Sequence, residues 1–201
     1  FKNGTITSDK AKILIQNYSN LTLDNVTLDG TNLKGSAPYT LSNNFGNTLI
    51  KDTTILAATN GYAFDLYYWP ENGYGDGVSV TVEGDSQIKG NIQYGSDNSD
   101  TQNVSQKAIL NITGGTFTGS FSTYGLNENN ETGINISGGT FAQDLSESGY
   151  LADAVKYEVG HTGGTFTYAK TLVDAQSAAK PGDTITDLKA TADNTVILTL
   201  N

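Results

Sequence analysis

"LNITGGTFTG" (110–119) and "INISGGTFAQ" (134–143) are near-copies, and their shared pattern decides how this chain folds. Each opens on apolar-x-apolar, passes a Gly-Gly corner, and resumes with Thr-Phe. Period-two alternation interrupted by glycine reads as two short strands joined at a bend. Outward along the chain the pattern recurs in "LTLDNVTLDG" (21–30), "TLIKDTTIL" (48–56) and "VTVEGDSQIKG" (80–90). A half-copy, "GTIT" (4–7), precedes them, and "HTGGTF" (161–166) is a third echo of the glycine phrase.

The copies start at Leu21, Thr48, Val80, Leu110 and Ile134, roughly 24 to 32 residues apart. A repeat of that size with several short strands per copy fits a parallel β-helix, in which each copy is a rung and equivalent positions stack. Three inward ladders are predicted. One holds Leu21, Val80, Leu110 and Ile134; another Leu23, Ile50, Val82, Ile112 and Ile136; the third Leu28, Ile55, Ile88, Phe117 and Phe141. The corner pairs Asp24–Asn25, Lys51–Asp52, Gly114–Gly115 and Gly138–Gly139 are residues that tolerate left-handed backbone. A third strand per rung is expected at "GSAPYTL" (35–41), "GNIQYGS" (90–96), "GSFSTYG" (119–125) and the aromatic stretch discussed below. An antiparallel sandwich fits less well, because the copies differ most in length after the motif, where a β-helix places its loops.

The chain has 201 residues and a net charge of −10, with eleven lysines as its basic residues and neither arginine nor cysteine. An acidic chain repels phosphate backbones, so nucleic acid is not an expected partner. The lack of cysteine excludes disulfides, thiolate metal sites and cysteine nucleophiles. No apolar run reaches about 18 residues, so membrane insertion by a helix is not expected.

The last fifth reads differently. "YAKTLVDAQSAAK" (168–180) places Leu172, Val173, Ala175, Ala178 and Ala179 at helical spacing, with Pro181–Gly182 as a stop, and "DTITDL" and "NTVILTL" follow as strands. This segment either closes the open end of a β-helix or begins a further module; both readings stand at this point.

The phrases "NITGGTF", "NISGGTF" and "VTVEGDSQI" resemble right-handed parallel β-helix repeats of pectate-lyase-like architecture in large bacterial cell-surface and adhesin-like proteins. The resemblance implies a displayed, extracellular or cell-surface module and transfers no catalytic residue. The resulting expectation is an all-β chain. Residues 1–149 form a right-handed parallel β-helix of about five or six rungs. Residues 150–201 form a small helix-plus-strands segment.

Enzymatic chemistry finds few groups. A uronate lyase needs a base beside the sugar's acidic carbon and clustered carboxylates for Ca²⁺; a hydrolase needs paired carboxylates. Asp24, Asp29 and Asp52 are candidates by spacing, yet acids at such corners are ordinarily solvated turn residues. His161 is the only histidine and has no evident acid or nucleophile partner in the sequence, which fits an incidental surface residue. No catalytic residue, metal ligand or cofactor is therefore assigned.

The aromatic stretch is "NGYAFDLYYWPENGYGDG" (60–77), with the only tryptophan and four tyrosines. Alternation sends Phe64 and Leu66 inward, and Asp65, Tyr67 and Trp69 outward. Exposed rings beside acids and amides suit a pyranose, whose apolar face packs on an aromatic ring. The candidate ligand-binding residues are Tyr67, Trp69 and Tyr74 as platforms, with Asp65 and Glu71, and more loosely Asn72 and Asp76, as polar partners. Two other readings remain: the loop packs its rings on the flank, or they meet another protein. The expected function is a non-catalytic surface module that binds a glycan or a host or surface protein, or that acts as a spacer. A polysaccharide lyase or hydrolase, and a phage fibre module, are the alternatives. Oligomeric state is left open.

Overall fold

The computed structural model describes residues 1–71, 74–96, 104–126 and 131–190, and the backbone of strand 197–199. The chain begins with β1 (Lys2–Thr7), β2 (Ile13–Tyr18), β3 (Leu21–Asp29) and the long β4 (Tyr39–Lys51). Next come β5 (Thr54–Leu56), β6 (Tyr62–Tyr68), β7 (Val78–Glu83), β8 (Gln87–Lys89) and β9 (Asn91–Ser96). A single helical turn, α1 (Val104–Lys107), leads into β10 (Ala108–Ile112), β11 (Thr116–Phe117), β12 (Phe121–Tyr124), β13 (Gly133–Ile136) and β14 (Thr140–Phe141). The C-terminal part holds β15 (Tyr157–Gly160), β16 (Phe166–Ala169), α2 (Leu172–Ala178), β17 (Thr184–Asp187) and β18 (Ile197–Thr199).

Strands β1, β3, the second half of β4, β7, β10 and β13 pair in parallel, one above the next. Strands β2, the first half of β4, β6, β9 and β12 form a second parallel stack. The result is a β-solenoid of about 4 turns. That is fewer than the repeat starts predict. The second stack has five strands and so four intervals, and the last copy, at 134–143, leaves no strand described in it.

All three predicted ladders form in register. Leu21, Thr48, Val80, Leu110 and Ile134 align, as do Leu23, Ile50, Val82, Ile112 and Ile136. Leu28, Ile55, Ile88, Phe117 and Phe141 make the third, all essentially inaccessible to solvent. Each fully buried aliphatic side chain contributes about 1.5–3 kcal/mol, and stacking makes these contributions contiguous. The first ladder contains one polar rung. Buried Thr48 donates to Asn43 Oδ1 (2.7 Å) and accepts from Asn17 Nδ2 (3.0 Å), so its hydroxyl is satisfied.

The corners explain the glycine pairs. The left-handed residue at each bend is Asn3, Asn25, Asp52, Gly84, Gly115 or Gly139. Asn25 Nδ2 donates to Asn3 Oδ1 (2.9 Å), and Asp52 Oδ1 accepts from the Asp85 amide (2.9 Å), tying the first corner to the second and the third to the fourth. Inside the bend, buried Ser86 Oγ donates to the Glu83 carbonyl (2.8 Å) and accepts from the Thr53 amide (3.2 Å).

The C-terminal part changes the direction of pairing. β16 runs antiparallel to β14 and to β15, β15 pairs antiparallel with β17, and β17 with β18. "HTGGTF" is therefore the turn of a β15–β16 hairpin and not a rung corner. A small second core of Val159, Ala169, Ala175 and Ile185 lies under α2. The helix begins at Thr171, whose Oγ1 accepts from the Asp174 amide (3.1 Å), and stops before Pro181. It is shorter than the predicted span. Val173, expected among its apolar positions, is 70% exposed, because the buried face runs through Leu172, Ala175 and Ala178.

Candidate functional site

The aromatic stretch divides into two groups with different surroundings. Phe64 and Leu66 are in the core, as alternation requires, and a bulge at Ala63 tucks that residue inside as well. Asp65 aligns with Ser42 of β4 and Gln93 of β9 on the opposite face of the second stack. It is not the open polar group the sequence implied: only 5% of it is exposed. The reason is local. Its Oδ1 accepts from the Asn43 amide (2.8 Å), its Oδ2 from Ser42 Oγ (3.2 Å), and tyrosines crowd its flanks. Loss of hydration outweighs these hydrogen bonds and pushes its carboxyl up to about 7.

Asp65 lies in a cleft of about 530 Å³ whose aromatic lining is Tyr39, Tyr62, Tyr67 and Tyr124. Tyr39 and Tyr62 occupy the same position on consecutive turns and stack, with centroids 5.0 Å apart and planes 14° apart. Tyr67 and Tyr124 face each other at 6.1 Å, and Tyr124 is 55% exposed. Tyr39 Oη donates to Gln93 Oε1 (2.7 Å), and burial with the nearby Asp65 carboxyl pushes its phenol up to about 12. Ser42 and Asn44 supply further polar edges. Stacking by rung repetition puts tyrosines in pairs, which the sequence register could have revealed for Tyr39 and Tyr62. Tyr124 sits a full 57 positions after Tyr67, two turns away, and only the register Tyr67–Gly95–Tyr124 brings them together.

Trp69 and Tyr74 belong to the other group. Tyr74 packs against Tyr18 (5.2 Å), Phe45 (5.3 Å) and Trp69 (6.2 Å), all half-buried or at the surface of the flank. Tyr68, beneath them, is buried and reaches the Gly75 carbonyl (3.4 Å). Glu71 and Asp76 are exposed on the loop, and Asn72 lies outside the described residues. Of the five residues singled out as binding candidates, Asp65 and Tyr67 line the cleft, whereas Trp69, Glu71 and Tyr74 do not.

His161 has the acid partner its sequence context did not reveal. Its Nδ1 is 2.7 Å from Asp183 Oδ2 and its Nε2 is 2.9 Å from Thr167 Oγ1, which in turn is 2.7 Å from Thr140 Oγ1. Asp183 also accepts from the Thr162 and Lys180 amides, and these bonds with the imidazole hold its carboxyl down at about 2. The chain of contacts joins the β15–β16 turn, β16, the loop before β17 and strand β14 of the solenoid. It acts as a clasp between the two parts of the molecule.

The three acids considered for hydrolysis have local partners. Asp24 pairs with Lys2 (2.8 Å), Asp29 accepts from the Thr31 amide and hydroxyl, and Asp52 accepts from the Asp85 amide. Among the described residues no three His, Asp or Glu side chains converge on a point where a metal ion could sit.

No family model, curated protein or solved structure matches this chain. The β-solenoid thus rests on its own strand pairing, and no relative supplies a cell-surface or adhesin context.

Proposed function

We propose that this chain is a non-catalytic carbohydrate-binding module, displayed on the outside of a bacterial cell as part of an adhesin-like surface protein. The observation that carries the reading is the cleft on the second stack, where four tyrosines surround a polar floor of Asp65, Ser42 and Gln93. Tyrosine offers an apolar face for a pyranose ring and loses little side-chain entropy on binding, while carboxyl, hydroxyl and amide groups take up the sugar hydroxyls. A volume of about 530 Å³ is within the usual range for small-ligand sites. Stacking of Tyr39 on Tyr62 and the hydrogen bonds to Asp65 fix these groups in place, which lowers the ordering cost of binding.

A glycan array probed with the wild type, a Tyr67→Ala/Tyr124→Ala variant and a Trp69→Ala variant tests this. The expected result is binding by wild type and by Trp69→Ala, and loss with the tyrosine pair, all three giving the same β-rich circular dichroism. Binding by none of them overturns the carbohydrate reading. Binding lost only with Trp69→Ala moves the site to the flank.

A further inference from the structure

The lining of the tyrosine cleft has a charge character that its shape alone does not convey. Among the described residues its lining includes one carboxyl group, Asp65, and no lysine or histidine. Around that carboxyl stand four electron-rich rings, in two pairs, on three different rungs. Aromatic faces attract cations through the ring quadrupole, and the attraction grows as water is excluded. A neutral sugar would use the rings and hydroxyls but leave the buried acid uncompensated. An anionic sugar would be repelled by it.

We propose that the cleft selects a glycan bearing a free, protonated amine, an amino sugar, whose ammonium group sits between the tyrosine rings and donates to Asp65. This rests on the carbohydrate reading above and narrows it. The polar edges of Ser42, Asn44 and Gln93 favour an ammonium that carries N–H donors and neighbouring hydroxyls over a methylated nitrogen, which could use only the rings.

The acid's ionisation makes the inference sharper. The free carboxyl titrates at about 7 because it is desolvated, and an adjacent cation draws it down. The ligand therefore binds the ionised form better, and affinity falls as pH drops through 7. Among the described residues, the titratable groups facing Asp65 are Tyr39 from β4, Tyr62 and Tyr67 from β6, and Tyr124 from β12. β2 and β9 offer only Ile13 and Gln93 to the cleft. Burial holds the Tyr39 phenol up at about 12, and no other charged side chain lines the cleft among the described residues.

The test is calorimetric titration with three trisaccharides: glucosamine, its fully N-acetylated form, and a uronate. Wild type and Asp65→Asn are compared at pH 5 and 7.5, with phosphocholine as a competitor and Tyr124→Ala as a second variant. Asn can keep the Asn43 amide and Ser42 contacts, and Tyr124 is exposed enough that its loss spares the fold. The expected result is at least tenfold tighter binding of the free amine than of its acetylated form at pH 7.5. That preference should shrink at pH 5 and vanish in Asp65→Asn, and Tyr124→Ala should weaken it. Equal binding of the two forms overturns the amine inference while leaving a carbohydrate site. Preference for the uronate, or tighter binding of phosphocholine, overturns it too. No binding of any sugar removes both readings together.

Discussion

Gly-Gly-Thr-Phe turns a corner of the solenoid at residues 114–117 and 138–141, but at 163–166 the same four residues close an antiparallel hairpin. The difference lies in what passes beside the glycines. A Cβ on Gly138 would stand 2.6 Å from the Thr113 carbonyl oxygen, and one on Gly114 would stand 2.9 Å from that of Gly84. A Cβ on Gly163 would meet nothing within 4 Å. In the solenoid the first glycine is demanded by the rung beneath and the second by a positive φ, +94° at Gly115 and +104° at Gly139. In the hairpin only the second demand survives, at Gly164 with φ +78°. A local phrase therefore does not determine whether its strands pair in parallel or antiparallel; the neighbour that covers it does.

The largest effect separating the two regions is expected from the phenylalanine that ends the phrase. Phe117 and Phe141 are both 1% exposed and stack with centroids 4.7 Å apart and planes 9° apart. Phe166 is only half-buried and pairs across the sheet from Phe141. Phe141→Ala should cost about 3–5 kcal/mol in urea unfolding, from lost transfer energy and the cavity left in the ladder. Phe166→Ala should cost about 1–2 kcal/mol, because its site is partly open and can refill with water. Phe166 packs on the edge of the same core as Phe141, so equal losses would mean that it is as tightly enclosed there, and the distinction would fail.

A second contrast concerns pH. Asp65 on the solenoid face holds its proton to about 7 in the folded state, well above its ordinary value near 4. The folded chain thus binds more protons than the unfolded one between those limits, so this group's contribution falls as pH rises from about 4 through 7. The penalty at pH 8 is roughly 3–4 kcal/mol. Asp65→Asn should match wild type near pH 4 and exceed it in melting temperature at pH 8. Asp183, in the clasp, has the opposite sign. Its folded-state value is depressed to about 2, so its contribution is present above the ordinary carboxylate range and lost as pH falls towards 2. Asp183→Asn should flatten that acid limb alone. Thermal melts from pH 2 to 8 read both, and a pH-independent difference between wild type and Asp65→Asn would show that the acid is not desolvated.

These contrasts mark where sequence reasoning succeeds and where it stops. The ladders are legible because inward positions repeat with the same apolar character, so Leu28 and Phe141 can be matched although they are 113 positions apart. Corner residues are legible because only Gly, Asn and Asp adopt left-handed backbone readily. The site is legible only in part. Strand alternation puts Asp65 and Tyr67 on one face, but it carries no information on what covers that face, so the burial of Asp65 was hidden. Trp69 and Tyr74 looked like platforms because rings in a polar loop are conspicuous; their packing on Tyr18 and Phe45 depends on rungs from elsewhere in the chain. His161 appeared isolated because Asp183 follows it by 22 residues, across a hairpin and a helix that no period announces.

The smallest effect expected is also the most discriminating, because it compares the same substitution at the same place in the phrase. Gly138→Ala puts a methyl group where the Thr113 carbonyl oxygen already approaches to 2.6 Å, and that oxygen belongs to the backbone of the rung below. Neither partner can turn aside as a side chain could, so the rungs must separate or the corner must distort. About 2–3 kcal/mol of destabilisation is expected, in the upper part of the range for single substitutions. Gly163→Ala places the same methyl group in open space, at a residue outside the left-handed region, and should change stability by no more than about 0.5 kcal/mol in either direction. Paired urea titrations of the two variants would read the difference directly. If Gly138→Ala proved as mild as Gly163→Ala, the corner would have room that the stacked rungs deny it. The glycine pairs would then reflect local turn preference alone, and the close rung spacing would no longer explain why the solenoid repeats them.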